Sequence, residues 1–164
     1  MHGDAALADA LRADALAAAA SSPAFLRLLA KNVEEAGSAL GYFGRLRAED
    51  GRVDLKKGGL LPLTAFARVV GLKRRVADTA TAVRLAAASQ GGTVPADEAA
   101  NLRRTQETLL GFVLEQQIAD IAAGTAPSTR VEISRLGRAR RGQLKQALGA
   151  LRGLPLFARD VLTA

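Results

Sequence analysis

PADEAANLRRTQETLLGFVLEQQIADIAAG, residues 95–124, is the stretch on which the fold turns. Pro95 opens it, and Asp97 and Glu98 place negative charge where the N-terminal end of a helix dipole favours it. Leu102, Leu109, Leu110, Val113, Leu114, Ile118 and Ile121 then recur at helical spacing until Gly124 stops the run. The pattern predicts a long, central helix. Similar segments lie on both sides. Residues 4–20 read as a helix capped by Asp4, with little apolar content beyond Leu7, Leu11 and Leu16. Ser22-Pro23 opens another, whose packing face is read as Phe25, Leu28, Leu29, Val33 and Ala36. Leu60, Leu63, Phe66, Ala67 and Val70 mark a third helix, with Pro62 in its first turn, and Asp78 to Ser89 a fourth. After residue 124, a helix from Ser134 carries Leu136, Leu144, Ala147, Leu148 and Leu151, and Pro155 kinks or splits it before Phe157 and Val161.

Composition agrees with this pattern. The chain has 164 residues, 49% hydrophobic, enough for one domain with a core. Five Phe, one Tyr and no Trp leave Leu, Val and Ala to build that core, which suits packed helices. With no Cys, and His2 as the only His, the chain excludes disulfides, thiolate zinc sites, His-based metal centres and nucleophiles that need a Cys or His. Asp4, Asp9 and Asp14 stand where a signal peptide would be basic and then apolar, and no run is long enough for a membrane span, so a cytoplasmic protein is expected. The net charge of +7 favours phosphates, nucleic acid or an acidic protein face without choosing among them. The fold class is all-α: a single domain over 1–164, an antiparallel bundle of about five to six helices, with a short β-hairpin insertion near residues 44–57.

That insertion is RAEDGRVDLKKGGLLP, residues 47–62. Taking Asp50-Gly51 as a two-residue turn, residue 48 faces 53, 47 faces 54, 46 faces 55 and 45 faces 56. Leu46, Ala48, Val53 and Leu55 then form an apolar side, and Arg45, Arg47, Asp54 and Lys56 a charged one. Lys57, Gly58 and Gly59 lead to a helix start. Cations, glycines and a helix N-terminus together describe a phosphate-binding corner. On local pattern alone, the same residues also read as a solvated Arg47–Asp54 cross-strand pair and a plain turn.

GDAALADALRAD, PAFLRLLAKN, LGYFGRLR and above all GRVDLKKGGLLPLTAFARVVGL resemble the C-terminal helical, substrate-binding domain of bacterial nucleotidyltransferases that sit behind cyclic-nucleotide-binding and CBS regulatory domains. The most specific element is D-L-K-x-G-G-L-x-P, filled by Asp54, Leu55, Lys56, Gly58, Gly59, Leu60 and Pro62. This run is also similar to a signature in the helical regions of glutamine-synthetase adenylyltransferases and PII uridylyltransferases. The resemblance implies that Arg45, Arg47, Asp54, Lys56, Lys57, Gly58 and Gly59 bind nucleotide or substrate, Lys56 neutralising phosphate and Asp54 orienting a cation or acceptor. The segment LLGFVLEQQIADIAAGTAPSTR departs from the family: Gln117 fills its Gln position, but Val113, Glu115, Gln116 and Thr129 stand where the resemblance implies an Arg and a His shortly before that Gln and an Asn after Pro-Ser. SRLGRARRGQLKQAL returns to the pattern, with Leu136, Arg141, Leu144 and Lys145 in place, and Arg141 and Lys145 read as a solvated face.

Nucleotidyl transfer needs paired carboxylates for its metals, and no Asp-x-Asp or Asp-x-Glu occurs in the chain. His2-Gly3-Asp4 therefore reads as the first residues after a removed catalytic domain, in a fragment of a longer signal-transduction protein. The expectation is an accessory domain with no catalytic or metal-binding residue of its own, partnered by its own N-terminal nucleotidyltransferase domain. Nucleoside triphosphate and Mg are implied for the parent protein, and a homodimer is compatible. Two other readings stand beside it: a basic helical nucleic-acid-binding module using Arg135, Arg138, Arg140, Arg141 and Lys145, and a structural dimerisation or regulatory bundle. A near absence of aromatics for base stacking weighs against nucleic acid.

Overall fold

A computed structural model describes residues 4–163, so His2 and Gly3 lie outside the described residues. Within it run α1 (Ala5–Ala20), α2 (Pro23–Glu35), α3 (Leu61–Lys73), α4 (Thr81–Ala86), α5 (Ala96–Ala122), α6 (Arg138–Ala150) and α7 (Leu154–Thr163). Pro155 sits in the first turn of α7, so α6 and α7 are the split helix that this proline predicts. The strands are β1 (Arg52–Asp54) and β2 (Arg130–Glu132). The all-α bundle with one small β element is confirmed.

Local chemistry accounts for the helix ends. The Ala6 N–H donates to Asp4 Oδ1 at 2.9 Å, and the Phe25 N–H reaches Ser22 Oγ at 3.4 Å. Gly124, at φ +68°, closes α5 in the left-handed conformation. The fourth helix is shorter than expected: the Asp78 carboxylate accepts from the Ala80 N–H at 2.7 Å, which holds a turn, and α4 begins only at Thr81.

Which faces are buried differs from the sequence reading in two helices. In α2 the core face is Leu26, Ala30 and Val33, whereas Phe25 and Leu28 are exposed. Two apolar ridges run side by side there, and α2 turns the one carrying the small Ala30 toward α3 and α7. In α5, Leu102, Leu109, Phe112 and Val113 are buried, but Leu110, Leu114, Ile118 and Ile121 form an exposed stripe. The expectation of one apolar stripe merged two faces. The centre of the bundle is α3, which packs against α1, α2, α4 and α7 and buries Leu63, Phe66, Val69 and Val70 completely. Val53 and Leu55 join that same core from the β element, as expected, while Ala48 is exposed.

Candidate functional site

The site begins with the turn at Asp50-Gly51. Both residues have positive φ, 51° and 73°, as a type I′ turn requires, and Glu49 and Arg52 exchange backbone hydrogen bonds of 2.9 and 3.0 Å across it. Beyond this closing pair the expected register does not form. Arg52, Val53 and Asp54 pair instead with Glu132, Val131 and Arg130 of β2. Leu40 bridges Leu46, and the Arg47 N–H donates to the Ala39 carbonyl at 2.8 Å. The reason is burial: Val53 is fully buried opposite the nearly buried Val131, a partner that the exposed Ala48 could not replace.

Asp54 is thereby separated from Arg47, and its Oδ1 accepts the Lys57 N–H at 2.9 Å. This bond caps a single π-helical turn, Lys56–Leu60, that feeds α3. Gly58 and Gly59 are buried in that turn. A Cβ on Gly58 would stand 2.5 Å from the Cβ and the backbone nitrogen of Ala39, and one on Gly59 would stand 3.1 Å from Leu109. The close approach these glycines permit is to the chain's own residues.

Arg47, Glu49, Arg52, Asp54, Lys57 and Gly58 line one shallow cavity of about 170 Å³. Its acids are engaged: Arg130 holds Glu49 at 3.3 Å, and Asp54 caps the turn. Arg52 is engaged too, lying 3.8 Å from Asp120 and 3.5 Å from Glu132. Arg47 and Lys57 make no ion pair among the described residues. The predicted residues Arg45 and Lys56 are exposed and lie outside this lining, and Gly59 sits behind it in the core.

A buried polar network behind the cavity escaped the sequence reading. Gln116 and Asp120, one turn apart on α5, are both buried, and Gln116 Nε2 donates to Asp120 Oδ1 at 2.7 Å. The Ser128 N–H donates to Asp120 Oδ2 at 2.9 Å, and the Glu132 N–H to Gln116 Oε1 at 2.9 Å. The buried glutamine is thus Gln116, while Gln117 is only half-buried. Its signal in the sequence was a polar pair at i and i+4 interrupting the apolar pattern.

A hydrogen bond from Ser134 holds the Glu132 carboxyl below its ordinary range, and Arg135 and Arg52 add to this against desolvation and the charge of Asp120. A depressed folded-state value contributes stability above the unfolded value of about 4.3, lost as pH falls through the lower folded value. Glu132→Gln should therefore be less stable than the parent at neutral pH, with the difference shrinking below about pH 4. Urea melts at the two pH values check this, and a pH-independent difference would contradict it.

No group of three or more His, Cys, Asp or Glu that could hold a metal occurs among the described residues. The basic stretch near the C-terminus is largely occupied within the chain. Arg140 pairs with Glu115 and stacks 4.1 Å over the Phe112 ring, Arg141 Nε donates to the Ile133 carbonyl at 3.2 Å, and Arg135 meets Glu132 at 3.0 Å. Arg138 and Lys145 remain exposed. No described helix is long and apolar enough to cross a membrane.

Residues 23–160 match the family described as "Putative nucleotidyltransferase substrate binding domain". No curated protein and no solved structure matches the chain.

Proposed function

Because this chain belongs to the nucleotidyltransferase substrate-binding domain family, we propose that it is the accessory half of a nucleotidyltransferase, binding nucleotide phosphates at the Arg47–Lys57 cavity and contributing no catalytic group. One observation carries this reading: two cations without carboxylate partners among the described residues share a cavity in which Glu49 is paired with Arg130 and Asp54 is turned to the Lys57 N–H. A triphosphate entering there would meet the Arg47 guanidinium, suited to two-point contact with phosphate oxygens, and the Lys57 ammonium as a point charge. Asp54 and Gly58 hold the turn that presents Lys57, Gly59 seats that turn on the core, and the exposed Arg45 and Lys56 add positive charge to the same segment of the chain. The metal-binding carboxylates and the transfer step belong to a catalytic domain elsewhere in the parent protein, with Mg bound there. The sequence resemblance supports a cytoplasmic signal-transduction protein with cyclic-nucleotide-binding and CBS domains.

Lys57→Ala should weaken triphosphate binding at least about tenfold, as expected for a charge-assisted hydrogen bond worth roughly 1.5–3 kcal/mol. The exposed side chain contributes little to folding, so stability should change by no more than about 1 kcal/mol. Calorimetric titration and urea melts of the same preparation measure both. Unchanged affinity in Lys57→Ala and in Arg47→Ala would remove the phosphate site. A structural role is supported by a separate observation, the exposed stripe of Leu110, Leu114, Ile118 and Ile121, which would join the bundle to a neighbouring domain or a second copy.

A further inference from the structure

The cationic cavity is not isolated. Gly37, Ser38 and Gly58 also wall a second cavity, of about 220 Å³, on the other side of the link between α2 and the Leu40–Leu46 bridge. Its remaining walls are mostly apolar: Val33 and Ala36 at the end of α2, Pro62 at the start of α3, and Leu151, Leu154 and Pro155 at the break between α6 and α7. Glu34 and Arg152 line it as well. Glu34 is held by Arg159 at 2.8 Å, and Arg152 donates to the Gly41 carbonyl at 3.2 Å. Each cavity alone falls short of the roughly 300 Å³ at which ligand clefts begin, and the two taken together exceed it.

We infer that the two cavities form one cleft for a nucleoside triphosphate, with the base in the apolar slot beside Ala36 and the phosphates on Arg47 and Lys57. This rests on the phosphate reading above and adds the seat of the base. The cleft is graded in polarity as such a ligand is: mostly apolar at one end, cationic at the other. Gly37 stands between the ends, and a Cβ placed on it meets nothing within 4 Å, so a ligand has room to cross over the link at that point. The carbonyls, ring nitrogens and amino groups of a base have polar partners within reach in Ser38 and Arg152, which line the slot. Phosphate alone would use only half of this surface.

The test compares calorimetric titrations of the whole chain with ATP, GTP, CTP, UTP and inorganic tripolyphosphate, whose charge resembles theirs without a base. At least one nucleotide should bind about tenfold or more tightly than tripolyphosphate. Ala36→Trp, which fills the slot from a half-buried position outside the cationic cavity, should bring that nucleotide down to the tripolyphosphate level while leaving tripolyphosphate binding unchanged. That unchanged affinity also reports that the variant is folded. Equal binding of nucleotides and tripolyphosphate by the parent chain would overturn the base slot and leave the phosphate site standing. Binding of none of the five would overturn both. Retained nucleotide preference in a folded Ala36→Trp would place the base elsewhere.

Discussion

Gly58→Ala should destabilise the fold by about 3 kcal/mol, the upper end of the usual cost of overpacking. The added methyl would lie 2.5 Å from both the Cβ and the backbone nitrogen of Ala39, a separation that van der Waals contact forbids. No flexible side chain can give way. The Ala39 N–H donates to the Gly58 carbonyl at 3.1 Å, and Ala39 is itself buried and bonded through its own carbonyl to Arg47, so relief requires the link after α2 to move as a unit. Gly37→Ala is the matched control. It lies two residues from Ala39, has open space around its Cβ and no positive φ, so it should hold stability or raise it by about 0.4–1 kcal/mol through the unfolded chain. Urea denaturation of both variants decides the matter. A Gly58→Ala protein within about 1 kcal/mol of the parent would mean that the contact relaxes cheaply, and that some other constraint sets the glycine.

Asp120→Ala should cost about 2–6 kcal/mol, roughly 1–3 kcal/mol for each of the two donors left without their buried acceptor. The substitution strips the acceptor from the Ser128 N–H and from the Gln116 amide, and leaves Arg52 with Glu132 as its remaining carboxylate. Gln116 in turn accepts from the Glu132 N–H of β2, so the change loosens the attachment of the β1–β2 pair to α5. Asp120→Asn retains an acceptor oxygen and should lose less, about 1–3 kcal/mol. The same denaturant melts rank the two variants. If Asp120→Ala lost no more than Asp120→Asn, the acceptor oxygen that Asn retains would have no structural role, and if Asp120→Asn matched the parent, the charge and second oxygen would have none.

Much of the backbone was legible because its causes are local. Asp4 and Ser22 cap helices with their own side chains, Pro155 cannot continue a helix from within, and Asp50-Gly51 accepts positive φ at low cost. The strand partner was not legible. Val53 had an apolar candidate at Ala48, five residues away, and another at Val131, far along the chain, and only the assembled core shows that Val131 closes the larger buried surface.

The candidate site divides in the same way. The sequence reading named Arg47, Asp54, Lys57 and Gly58 among the residues around the cavity, because cations, glycines and a turn are visible as residue types, but not Glu49, Arg52 or the Gly37–Ala39 link. It could not assign their roles. A glycine needed for phosphate approach and one needed against Ala39 look identical in sequence, and so do Lys56 outside the cavity and Lys57 within it. The sequence by itself determined where α1, α2 and α5 start and stop and that the helices assemble into a bundle, since hydrogen bonding to near neighbours and apolar periodicity fix both. The tertiary structure alone decided which of two apolar ridges on α2 and α5 turns inward, which strand Val53 joins, and which lysine meets the cavity. Those choices rest on volume and distance between residues far apart in the chain, and no local pattern encodes them.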